Sequence, residues 1–82
     1  GVPAIDYLTA STQWSSPGNK RQYLPVRIEP DGSIVPSARL GSGSHLIASL
    51  PEADALAIVP EGIARVTPGM RLAVIRIRGG QP

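Results

Sequence analysis

The sequence predicts an all-β domain with one short helical turn, and three observations carry that expectation. Nine glycines and nine prolines among 82 residues divide the chain into short elements joined by turns. Phe is absent and only Trp14, Tyr7 and Tyr23 supply aromatic bulk, so a core must be built from Ile, Leu, Val and Ala. The apolar runs are brief, and most end at a Pro- or Gly-containing turn, which favours strands over a helix bundle. Residues 1–82 form one small domain, large enough to fold alone with little stability to spare.

After an entry segment at Gly1-Val2-Pro3, a first strand is expected over residues 7–13, with Trp14 covering the rim of the core. Ser15-Ser16-Pro17-Gly18-Asn19 is a turn on its chemistry, and it delivers Lys20 and Arg21 to the mouth of the next strand. Residues 22–29 carry that strand, with Tyr23, Val26 and Ile28 apolar. Pro25 removes one ladder N–H and so implies an edge, a bulge or a bend. Pro30-Asp31-Gly32-Ser33 is the clearest hairpin signal, because Asp-Gly tolerates positive φ. Ile34-Val35-Pro36 returns from it, and residues 37–40 run into a glycine-serine loop.

That loop, Leu40-Gly41-Ser42-Gly43-Ser44, feeds a short helical turn expected near Ser44, with Leu46, Ile47 and Leu50 at helical spacing. A capped helix start offers free N–H groups to an anion, and it is equally an ordinary structural turn. The sequence alone leaves both readings open. Glu52-Ala53-Asp54 turns the chain into residues 55–59, a continuous apolar run read as a strand buried on both faces. Turns at Pro60-Glu61-Gly62 and Thr67-Pro68-Gly69 bracket a brief extended piece over 63–66. Residues 70–78 are the strongest strand, with Ile75 and Ile77 expected inside and Arg76 and Arg78 in solvent.

Composition excludes several function classes. A net charge of +2 from scattered basic residues, with three aromatics, argues against a nucleic-acid binder. Without cysteine there is neither a disulfide nor a thiolate metal site, and a single His cannot assemble a zinc site. No apolar run reaches membrane-spanning length, and a cytoplasmic location is expected. The chain starts at Gly1 without Met, so a fragment of a longer chain is expected. No complete triad, carboxylate pair or metal constellation is visible.

The order of these blocks carries the reading further. It runs from Pro17-Gly18 through Lys20-Arg21-Gln22-Tyr23, Arg27-Ile28 and Asp31-Gly32 to Gly43-Ser44-His45-Leu46-Ile47-Ala48-Ser49-Leu50. Ala53-Asp54-Ala55-Leu56-Ala57-Ile58-Val59-Pro60 and Pro68-Gly69-Met70-Arg71-Leu72-Ala73-Val74 follow. This succession resembles the C-terminal domain, domain IV, of the molybdopterin molybdenumtransferases, the MoeA and gephyrin E-domain type. The resemblance covers nearly the whole chain, from Ile5 to Ile77, and no single motif in it is very specific.

The resemblance implies an all-β, partly closed barrel of the β-clip type. It implies a four-domain cytoplasmic enzyme, homodimeric, that inserts molybdenum from molybdate into adenylylated molybdopterin with a divalent cation, commonly magnesium. Domain IV would line one side of the cleft, with its partners the other domains of the parent chain, and the isolated domain is expected to be inactive. The family's site serine matches Ser44; Ser42 and Ser49 are weaker matches. Lys20, Arg21 and Arg27 are the candidate cations beside it. The chain departs from the family where an Arg is common two residues after the aromatic, since Pro25 stands there after Tyr23. A stand-alone β-barrel interaction module is the alternative from a different class.

Overall fold

The computed structural model describes residues 5–37 and 53–77. Seven strands order them: β1 (Ile5–Thr9), β2 (Trp14–Ser15), β3 (Gln22–Ile28), β4 (Ile34–Pro36), β5 (Ala55–Val59), β6 (Arg65–Val66) and β7 (Arg71–Arg76). Five form one antiparallel sheet in the order β1-β7-β5-β3-β4, while β2 and β6 make a separate two-stranded ribbon. The described residues contain no helix, and the turn expected near Ser44 lies outside them.

The sheet curls until its two edges meet. Ala10, just past β1, forms a parallel bridge to Ile34 of β4, and the Ser11 N–H donates to the Ile34 carbonyl at 3.0 Å. One bridge joins the edges, so the barrel is partly closed, as the resemblance implied. This closure also corrects the first strand, which begins earlier than the expected residues 7–13 and ends at Thr9. Beyond Thr9 the chain leaves β7 to cross to β4, and no single straight strand can serve both neighbours.

Strand register decides which side chains are inside. Side chains alternate between faces, and directly paired residues share a face. Leu24, Val26, Ala55, Ala57, Val59, Leu72 and Val74 point inward and are buried, joined by Ala10 and Ile34. Trp14 and Val66, paired across the ribbon, belong to the same cluster. Trp14 is 5% exposed, so it is a core residue and not the rim cover expected. The ribbon lays its face against the interior, which the sequence around Trp14 gives no means of anticipating.

The end of β7 is likewise reversed. Leu72 and Val74 share the inner face, so Arg76 follows them inward in parity, while Ile75 and Ile77 lie on the outer face. Arg76 escapes burial because the barrel opens there, and its Nε donates to Asp6 Oδ2 at 2.7 Å. Both side chains are 43% exposed, and such a pair contributes less than about 1 kcal/mol. The β5 strand keeps the expected bounds, but only its inner face is fully buried; Leu56 and Ile58 are half-buried.

Pro25 sits in β3, which lies between β5 and β4 and is therefore no edge. In an antiparallel ladder a residue's N–H and C=O face the same neighbour. The Pro25 carbonyl accepts the Ser37 N–H at 3.0 Å on the β4 side, so the missing N–H faces that side too. There β4 has already ended at Pro36, and the ladder to β5 is untouched. The strand is an edge only locally.

Two turns show why particular residues are needed. The hairpin after β3 is a three-residue loop closed by Glu29 N–H to Ser33 O at 2.7 Å and Gly32 N–H to Glu29 O at 2.8 Å. Pro30 fixes a negative φ at the first loop position, and only Gly32 takes a positive φ, at 89°. Asp31 locks the loop by accepting from the Ser33 N–H and hydroxyl at 3.0 and 2.6 Å. These two bonds, the hydroxyl's first, hold the Asp31 carboxyl below the usual carboxylate range. Gly18 has φ 82°, and a Cβ there would meet the Ala64 Cβ at 3.3 Å, so both backbone and space demand glycine.

Asp54, expected only as part of a turn, ties three strands together. Its N–H donates to Val26 O at 2.8 Å and its carbonyl accepts Ile77 N–H at 3.0 Å. Its Oδ2 accepts Ile28 N–H at 2.9 Å, replacing the strand partner that β3 lacks beyond the end of β5. Asp54→Ala is expected to destabilise the domain by about 1–3 kcal/mol, because a half-covered N–H loses its acceptor. Asp54→Asn keeps an acceptor oxygen and should recover most of that loss in urea denaturation. An Ala variant within about 0.5 kcal/mol of the parent would mean the carboxylate is not structural.

Candidate functional site

The turn bearing Gly18 delivers Lys20 and Arg21 to the start of β3, where both are exposed. The Arg21 Nη1 donates to the Tyr23 hydroxyl at 3.4 Å. That bond comes first among the causes that raise the guanidinium above its ordinary value, with a weaker contribution from Glu61, and Arg21 is a permanent cation as any guanidinium is. Arg27 is also exposed, near the other end of β3. Six residues of strand separate Arg21 from Arg27, about 20 Å at roughly 3.3 Å per residue. The two ends of β3 cannot hold one small oxyanion together.

Ser42, Ser44 and Ser49 lie outside the described residues. The described residues bordering that stretch both meet β3 at its Arg27 end. Ser37 bonds to Pro25, and Asp54 bonds to Val26 and Ile28. Arg27 is thus beside the points where the chain leaves for Ser44 and returns from it, whereas Lys20 and Arg21 are a strand length away.

A family model described as the MoeA C-terminal region (domain IV) matches residues 7–77, from the middle of β1 to the residue after β7. The chain belongs to this family. Its context is therefore molybdenum cofactor biosynthesis. No curated protein matches the chain.

Among the described residues no group of three or more His, Cys, Asp or Glu is placed to hold a metal ion. Nor is any described helix long and apolar enough to cross a membrane. Two features escaped the sequence reading. Asp54 as a fastener was signalled only by an acidic residue directly before an apolar run. The Arg71 guanidinium over the Tyr7 ring, at 5.7 Å, joins residues too distant in sequence to be paired by inspection.

Proposed function

We propose that this domain lines one side of the active-site cleft of an enzyme that inserts molybdenum from molybdate into adenylylated molybdopterin, and that alone it performs none of that chemistry. The observation that carries the reading is the family match over residues 7–77. In this reading the parent is a cytoplasmic homodimer, and its divalent cation, commonly magnesium, is held by other domains. The described residues do not fit such a cation, lacking a cluster of donors, so no step through it is assigned to them.

The domain's own contribution is to hold an oxyanion of molybdate or of a substrate phosphate. Ser44 is the first residue proposed for this, with Ser42 second. Arg27 is favoured over Lys20 and Arg21 as the accompanying cation, because the chain on both sides of the serine stretch is fastened to β3 around Arg27. A guanidinium supplies paired N–H donors that match an oxyanion.

The test is molybdate-dependent molybdenum insertion by the full parent chain. Ser44→Ala is expected to lower turnover at least tenfold while the thermal midpoint moves little, since even the N-cap role expected from the sequence would be worth only about 1 kcal/mol. Arg27→Glu should lower turnover comparably, and Lys20→Glu with Arg21→Glu should do so less. A fall in turnover matched by collapse of stability would make Ser44 structural. Molybdenum insertion by the 82-residue chain alone would overturn the reading.

A further inference from the structure

The outer face of the sheet is apolar, yet it has no second layer among the described residues. One cross-strand row runs Tyr7, Ala73, Ile58, Tyr23 over β1, β7, β5 and β3. The next row runs Ile5, Ile75, Leu56, Pro25, open at Ile5, half-buried at Ile75 and Leu56 and closed at the buried Pro25. Tyr7 is 61% exposed and Ile5 53%, while Tyr23 is 49% and Ile77 44%. Large side chains left this open cost solubility, and a contiguous apolar face of this kind marks an interaction surface.

Charge says what the face accepts. Arg71 stacks over Tyr7 on one flank, and Arg21 bonds to Tyr23 on the other. The described outward positions of β1, β3, β5 and β7 carry two cations, Arg71 and Arg27, and no carboxylate. Glu61, in the turn after β5, acts on Arg21 only through its charge. We propose that this face docks a separate acidic polypeptide, one with apolar side chains between its carboxylates. The apolar residues cover the Ile58–Ala73 centre, and the carboxylates meet Arg71 and Arg21 at the flanks. Tyr and Arg around an aliphatic centre are also the residue types that dominate protein interfaces.

Two other occupants fit less well. A second copy meeting this face through a two-fold axis would bring like-charged flanks together with no carboxylate between them. A single-stranded nucleic acid needs aromatic rings within reach of successive bases. Here the tyrosines stand three strands apart, about 14 Å at roughly 4.8 Å per strand, with Ile58 and Ala73 between them.

The experiment titrates the 82-residue chain with a short peptide whose central Leu-Phe-Leu is flanked by glutamates. The controls are the same peptide with lysines for glutamates, and oligouridine. Backbone amide shifts of β1, β7, β5 and β3 should move with the acidic peptide, and binding should weaken as salt rises. Tyr7→Ala and Arg71→Glu should each weaken it at least tenfold at an unchanged thermal midpoint. Arg65→Glu, an exposed charge on the ribbon and off this face, should leave it unaltered. No binding, equal binding of the lysine peptide, preferential binding of oligouridine, or dimerisation through this face in sedimentation would each overturn the proposal.

Discussion

Trp14→Ala is expected to remove about 3–5 kcal/mol of stability, the range for deleting a large aromatic from a packed core. The indole is 5% exposed and belongs to the cluster formed by the inner face of the barrel. Its strand is only two residues long, so β2 contributes little hydrogen bonding to offset the cavity. A domain of this size has a total stability of roughly 4–12 kcal/mol, so the loss is about a quarter of it or more. With about 4–8 °C of thermal midpoint per kcal/mol, melting followed by circular dichroism should fall by at least about 12 °C. Trp14→Phe should recover most of this, because the buried indole N–H has no hydrogen-bond partner in the described structure and its removal forfeits little. A loss under about 1 kcal/mol in the Ala variant would place Trp14 at the surface after all.

The second large effect compares neighbours on β3. Leu24→Ala is expected to cost about 2–5 kcal/mol, whereas Tyr23→Ala should cost less than about 1 kcal/mol. Leu24 is fully buried on the inner face and Tyr23 is half-exposed on the outer one. A one-residue slip of the β3–β5 pairing would exchange their environments, so chemical denaturation of the two variants reads the register directly. Equal losses, or a greater loss for Tyr23→Ala, would contradict the register that pairs Leu24 with Ala57.

Much of the strand layout was legible because turn chemistry is local. Gly18, Gly32, Gly62 and Gly69 all fall in turns at positive φ, where glycine has no steric cost. The ends of β5 and the approximate ends of β3 and β7 follow from those turns and from apolar content. The candidate site was legible only in part. Lys20, Arg21 and Arg27 could be named as exposed cations, but their separation along β3 depends on a continuous strand through Pro25. Sequence patterns had argued against such continuity, since Pro is excluded from ladders on both sides. Only the early end of β4 makes it permissible.

By itself, then, the sequence determined the fold class, the turns and the family, because composition, glycine conformation and the order of motifs are properties of the chain read locally. Tertiary structure alone decided three matters: that Trp14 is core, that Ile75 and Ile77 face outward, and that Ala10 closes the barrel on Ile34. Each depends on which strand lies beside which. An alternating strand with apolar residues on both faces carries no mark of its inner side until a neighbour is laid against it, and that choice is made by pairings between residues far apart in the chain.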